Sequence, residues 1–153
     1  MNELCAQLEA LLSDVPYLDG NLANASALLY QSMDRLNWAG FYLLRAGALR
    51  LSAFQGKPAC VKIELGRGVC GTAALEDSTL VVRDVHAFPG HIACDADSRS
   101  EIVVPLHCGS RVVGVLDLDS PIISRFGNGE KETLEAFART LERLLKKQLS
   151  EIQ

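Results

Sequence analysis

Leu4, Leu8, Leu11, Leu12 and Val15 recur at helical spacing, and Pro16 closes the stretch, so the chain opens with an amphipathic helix. A second helical run follows Asn21 and is carried by Leu22, Ala25, Leu28, Leu29 and Met33. Asn37 then introduces a strand from Trp38 to Arg45. Ala46-Gly47 is a turn, and Ala48 to Phe54 returns as its hairpin partner. Gln55-Gly56-Lys57-Pro58 breaks the pattern, and Cys60 to Leu65 reads as a short strand. Gly66-Arg67-Gly68 leads into a short helix from Val69 to Leu75, and Thr79 to Arg83 is another strand. Asp84 to Arg99 shows no clear periodicity. Glu101 to Cys108 and Arg111 to Asp119 are strongly apolar strands around the turn Gly109-Ser110. The last element is a long helix, Gly129 to Ser150, whose buried stripe is Leu134, Phe137, Leu141, Leu144, Leu145 and Leu149. Asn128 is its expected N-cap, with Glu130 and Glu132 in the positive first turn.

Helices, antiparallel strands with a broken middle, then a helix: this order predicts an α+β domain. Terminal helices cover one face of its antiparallel sheet, and the irregular middle segment covers the other. An irregular segment of about 16 residues inside a compact domain is usually a lid or binding loop. A length of 153 residues suits one domain, residues 1–153, with one hydrophobic core. Apolar runs fall short of the roughly 20 residues a membrane helix needs, which speaks against a membrane span. Met1 to Leu12 carries Glu3 and Glu9 but no Lys or Arg, unlike a secretory signal, so a cytoplasmic location is expected. The net charge is −4, with basic residues scattered rather than banked, which speaks against nucleic acid as a partner. Arg143, Lys146 and Lys147 form a short basic cluster, read as a solvated helix C-terminus.

Five cysteines in a chain without an export signal should be thiols at rest in a reducing compartment. Cys70 falls in the first turn of a short helix beside Arg67, where both the helix and the guanidinium favour thiolate. Cys60 starts a strand and Cys94 lies in the long loop, whereas Cys5 and Cys108 occupy packing positions. Any one of these reads most simply as a small buried hydrophobe. Three in irregular or junction segments weaken that reading. A zinc site from His86, His91, Cys94 and Cys60 is conceivable, but the spacing matches no common zinc motif, and no metal is expected.

Alternation puts Val113, Val115, Asp117 and Asp119 on one strand face. Either the strand runs out into solvent, with Asp119 capping the turn at Ser120-Pro121, or two carboxylates continue a buried row. Glu101, across the hairpin, falls near their level. Such a cluster can attract an ammonium group, and it can keep one carboxyl protonated near neutrality. Trp38, Gly40 and Tyr42 likewise share a face. They form either part of a core or an aromatic wall in which Gly40 leaves room for a ligand.

The chain resembles the free methionine-R-sulfoxide reductases, a catalytic branch of the GAF-domain fold. The resemblance rests on Asn21-Leu22-Ala23-Asn24, Asn37-Trp38-Ala39-Gly40-Phe41-Tyr42-Leu43, Phe54-Gln55-Gly56 and Ala59-Cys60. It continues through Gly66-Arg67-Gly68-Val69-Cys70-Gly71, Asp84-Val85, His91-Ile92-Ala93-Cys94, Ser100-Glu101-Ile102-Val103-Val104-Pro105-Leu106 and Gly114 to Ser120. It implies that Cys94 is the catalytic cysteine, Cys60 the main resolving cysteine and Cys70 the third of the set. It also implies that Trp38 and Tyr42 surround the substrate's methyl sulfoxide, and that Glu101, Asp117 and Asp119 bind the substrate and polarise its S=O bond. Asp84 falls in a matching run and is carried over as a substrate-binding residue. The implied partners are free methionine sulfoxide and a thioredoxin-type dithiol. No cofactor is implied, and a homodimer is compatible with the family. The rival expectation is a GAF-type ligand or redox sensor without turnover.

Overall fold

The computed structural model describes residues 3–92 and 94–153. Met1 and Asn2, at the start of the segment read for an export signal, and Ala93 of the His91–Cys94 run lie outside the described residues. Helix α1 spans Glu3–Leu12 and α2 spans Leu18–Ser32. Strands β1 (Trp38–Arg45), β2 (Ala48–Gly56) and β3 (Lys62–Glu64) follow, then α3 (Gly68–Glu76) and β4 (Leu80–Val82). A single 3-10 turn, Val85–Ala87, lies in the irregular segment before β5 (Ser100–Cys108) and β6 (Arg111–Ser120). Helices α4 (Asn128–Leu144) and α5 (Lys146–Ser150) end the order. Among the described residues no helix is long and apolar enough to cross a membrane.

One antiparallel sheet has the order β3-β2-β1-β6-β5-β4. Strand alternation sorts its apolar side chains into two cores. Ala39, Phe41, Leu43, Ile102, Val104, Leu116 and Leu118 face α1, α2 and α4 and join Leu8, Leu22, Phe137 and Leu141. Trp38, Tyr42, Val103 and Val115 point the other way and meet Ile63 and the α3 residues Val69, Cys70 and Ala73. The two-faced α+β architecture expected from the element order is the one found.

Four local readings change. Helix α2 starts before Asn21, which is buried in its first turn and whose Nδ2 donates to Val15 O at 2.7 Å. The last helix breaks at Leu145, which leaves helical geometry (φ −110°, ψ 22°), yet Leu145 and Leu149 both stay buried, so the apolar stripe crosses the break. Gly127, not Asn128, caps α4, and its N–H donates to Glu130 Oε1 at 2.8 Å. Val113 does not share a face with Val115. The β5–β6 register slips between Leu106 and His107, and the bulge turns Val113 into the helix-side core.

His107, at that bulge, is held on both sides. Its Nε2 lies 2.6 Å from Asp77 and its Nδ1 3.0 Å from Glu142, which ties β5 to the end of α3 and to α4. Between the central strands, Gly114 pairs with Leu43, and a Cβ there would collide with Tyr42 O and lie 3.2 Å from Leu43 Cα. Backbone offers no room to yield. Gly114→Ala is therefore expected to lower the urea midpoint, with a loss of about 2 kcal/mol typical of overpacking. A melt superimposable on wild type would show that β1 and β6 can part there.

Candidate active site

The sheet face that meets α3 carries the chemistry. Cross-strand register sets Glu101 opposite Asp119 and Val103 opposite Asp117, so the three carboxyl groups gather on one face at one end of β5 and β6. Glu101 is 7% exposed and Asp117 6%, which decides between the two sequence readings: the strand does not run into solvent. The three carboxyls line a cavity with Trp38, Tyr42, Cys70, His91 and Cys94. Trp38 stacks on Phe54 at 5.2 Å and on Tyr42 at 6.0 Å between ring centroids. Trp38 Nε1 donates to Lys57 O at 3.1 Å, and the Tyr42 hydroxyl donates to Cys60 O at 2.8 Å. The aromatic wall thus anchors the segment that carries Cys60. Gly40 leaves no room for a ligand: a Cβ there would run into Phe54 and Ala53 O, so its missing side chain admits β2.

Cys60 and Cys94 form a disulfide, their Cα atoms 5.8 Å apart. Five resting thiols were expected from composition. The resemblance, which makes Cys60 the resolving partner of Cys94, implies this pair instead, and the fold brings the loop residue and the residue just ahead of β3 together. The same bond rules out the zinc set His86, His91, Cys94 and Cys60 in this form, since its two sulfurs are spent on each other. Cys60 precedes β3 rather than starting a strand.

Cys70 corrects another expectation. It sits in the first turn of α3, but it is buried, and its Sγ donates to Asp117 Oδ2 at 3.3 Å with Glu101 Oε2 at 3.9 Å. Burial, then the Asp117 and Glu101 carboxyls, push its thiol well above the usual range. Helix dipole and Arg67 do not outweigh two acidic neighbours in a desolvated site. Cys70 is a protonated donor in this state, not a thiolate.

The carboxyls differ in the same way. Burial raises Glu101 far above the carboxylate range, and Asp117 and Asp119 raise it further. Burial and the Asp117 charge do the same to Asp119. Asp117 is raised by burial but opposed by hydrogen bonds from Glu101, Cys70 and Asp119. Asp117 is thus the member that best holds a negative charge, while Glu101 and Asp119 hold protons. Burial and His86 lower the His91 imidazole, which is neutral at the cavity wall. Cys70, Glu101 and Asp117 could also offer three ligand atoms, all within 4.8 Å of one another, to a cation. Such an ion would have to displace the protons of Cys70 and Glu101.

Two further features differ from what the resemblance implies. Asp84 does not line the cavity; it caps the 3-10 turn, accepting from His86 N at 3.0 Å. Asn37, Asp95 and Ser98 do belong to the site, although sequence reading assigned them no role. Asn37 Nδ2 donates to Asp95 Oδ2 and to Ser98 Oγ, each at 2.9 Å, and Ser98 Oγ donates to Asp119 Oδ2 at 2.8 Å. The nearest signal in the chain was the Asp95-Ala96-Asp97-Ser98 string, a turn pattern in which Asp97 N donates to Asp95 Oδ1 at 2.9 Å.

A curled antiparallel sheet with α1, α2 and α4 on one face and a carboxyl-lined cavity beside α3 on the other defines a GAF domain, and the GAF domain family matches residues 8–145. The free methionine-R-sulfoxide reductase of Escherichia coli is 47% identical over 143 residues, 94% of this chain and 87% of that protein. Staphylococcus aureus fRMsr, solved in complex with substrate, superposes with a TM-score of 0.89 at 51% identity, covering 93% of each chain. The free methionine-R-sulfoxide reductase of Neisseria meningitidis, solved in complex with its substrate, gives a TM-score of 0.91 at 42% identity over 95% of this chain and 89% of that one. The chain belongs to the free methionine-R-sulfoxide reductase family.

Protonated burial has a consequence for stability. The folded-state affinity of Glu101 for its proton exceeds that of the unfolded chain, so folding binds a proton above the ordinary carboxylate range. Its favourable contribution is complete below that range and is lost as pH rises toward the raised folded value. Glu101→Gln, which cannot ionise, should melt close to wild type at pH 4 but above it at pH 7, by about 3 °C or more. An unchanged gap between the two melting curves across that interval would refute protonated burial.

Proposed function

We propose that this chain, acting as one catalytic domain over residues 1–153, reduces free L-methionine-R-sulfoxide to methionine. The observation that carries the reading is that Cys94 lines the same cavity as Glu101, Asp117, Asp119, Trp38 and Tyr42. A sulfoxide needs a nucleophile at sulfur, a proton at oxygen and an apolar seat for its methyl group, and these residues supply all three. The charge of Asp117 suits the substrate ammonium, and a small cavity suits a free amino acid better than a residue within a protein chain. Specificity for the R epimer follows the named relatives.

In the reduced enzyme Cys94 attacks the sulfoxide sulfur while Glu101 or Asp119 hydrogen-bonds to and protonates its oxygen. The oxygen passes to Cys94, leaving a sulfenic acid and methionine. The Cys60 thiol then attacks that sulfenic acid, forming the Cys60–Cys94 bond and releasing water. A dithiol of the thioredoxin type returns both cysteines to thiols and leaves as a disulfide. That cycle suits a cytoplasmic, reducing setting. A sensor would need the disulfide but not the protonated acids.

Two experiments test the assignment. With the R epimer, Cys94→Ser should release no methionine while keeping a native circular dichroism spectrum. Cys60→Ser should release about one equivalent per enzyme in a single turnover and then stall with thioredoxin, because attack by Cys94 needs no second thiol. Full release by Cys94→Ser would sink the nucleophile assignment, and wild-type turnover by Cys60→Ser would sink the resolving one.

The acid assignment is tested separately. Glu101→Gln or Asp119→Asn should slow the single-turnover step by about 100-fold or more. Asp117→Asn should mainly raise the substrate concentration needed for half-maximal rate. In wild type the single-turnover rate should fall as pH rises through the elevated value of the acid. Wild-type rates in both Glu101→Gln and Asp119→Asn would place the proton source elsewhere.

A further inference from the structure

Asn37 and Ser98 carry a directional hydrogen-bond chain into the acid cluster. Asn37 precedes β1, and its backbone N–H donates to Asp119 O at 3.0 Å, which sets its side chain beside Asp119. The amide has two N–H groups and uses both, one on Asp95 Oδ2 and one on Ser98 Oγ, each at 2.9 Å. A flipped amide would turn its oxygen toward the Asp95 carboxylate. Partial burial pushes Asp95 up, but the Asp97 amide, the Asn37 amide and the Lys57 ammonium outweigh it and hold the group below its usual range. Asp95 is therefore charged, and the amide orientation follows. With a donated hydrogen on its oxygen, Ser98 turns its own hydrogen to Asp119 Oδ2, 2.8 Å away. Ser98 is buried, so no solvent competes for that hydroxyl.

Asp119 Oδ2 is thus an acceptor, and its other oxygen, Oδ1, is buried with no partner outside the carboxyl cluster. A proton on Oδ2 would set two hydrogens against each other along the Ser98 contact, or leave the Ser98 hydroxyl without an acceptor. We propose that Asn37 and Ser98 are positioning residues that confine the acid proton of Asp119 to Oδ1, the oxygen with no partner outside the carboxyl cluster. The chemical part of this rests on the reading of Asp119 as a proton donor. Asp95 follows Cys94 directly in the chain, so the Asn37 amide holds the catalytic loop and the acid in one arrangement.

Ser98→Ala removes a hydrogen bond that favours ionised Asp119, so the Asp119 carboxyl should titrate at higher pH in the variant. Carbon-13 NMR of aspartate-labelled protein reads this directly, with Asp119→Asn assigning the resonance. Single turnover of the R epimer should slow about tenfold, the scale of one hydrogen bond to a carboxyl, at unchanged half-saturating substrate, and the basic limb of its pH profile should move upward. Ser98→Thr keeps the hydroxyl and should restore both titration and rate. Asn37→Ala frees the hydroxyl to turn and should shift the titration in the same direction by less. An Asp119 titration identical in Ser98→Ala and wild type would overturn the proposal, as would a shift that Ser98→Thr fails to reverse. Should wild type release no methionine while the titration shift is present, the proposed reaction falls and the positioning role stands.

Discussion

Glu101, Asp117 and Asp119 occupy a space from which water is largely excluded, and that space does not tolerate three negative charges. Protons must stay, and donors must be found for whatever charge remains. Cys70 donates to Asp117, Ser98 to Asp119, and the protonated carboxyls to their neighbours. The surroundings follow from this constraint. Helix α3, the segment before Cys60 and the loop residues His91, Ile92, Cys94, Asp95 and Ser98 pack around the carboxyls, because a solvated cluster would simply ionise. A folded state that keeps acids protonated near neutrality is less stable than one with neutral isosteres in their place, and such a cost is typical of a working site.

The sheet tolerates this arrangement because its two faces do different work. One face is an apolar core against α1, α2 and α4, where Phe41, Leu116, Phe137 and Leu141 are fully buried. With cohesion supplied there, the other face can carry aromatics and then carboxyls along the same strands. Two bulges adjust the geometry. One turns Val113 away from the polar face. The other, in β2 opposite Gly40 and Tyr42, brings Phe54 against Trp38. Neither strand face would be continuous without them.

The disulfide joins a segment anchored by Tyr42 to a loop anchored by Asn37. Lys57 spans the same gap from outside, with its ammonium 2.5 Å from Asp97 and 3.8 Å from Asp95. Cys94 therefore approaches the cavity from a loop held at several points, by Asn37, by Lys57 and, through Ser98, by Asp119 on β6. Cys70, though in the same cavity, is placed to give a hydrogen bond rather than to attack. Chemical division among the three cysteines comes from their surroundings, since the residue type is identical.

Strand and helix identities were legible from periodicity, because burial on one side of a regular element repeats at a fixed step. Trp38–Arg45 is a strand to the residue, and the β5–β6 hairpin could be counted well enough to bring Glu101 near the level of Asp117 and Asp119. Family membership was legible from the motifs for the same local reason. Long-range position was not. Nothing in a linear pattern shows whether Asp117 and Asp119 end in water or under a lid, since that depends on what packs above the strand. Cys70 looked like a thiolate because its own helix and Arg67 were visible in the chain, while the carboxyls that reverse the effect come from strands far along it. Asp84 lies off the cavity wall because a motif match carries no direction for a side chain, and Asn37 and Ser98 gained a role only once Asp95 and Asp119 stood within hydrogen-bond reach. Local periodicity is written in sequence neighbours; desolvation and charge pairing are set by neighbours in space, and those only the tertiary structure decides.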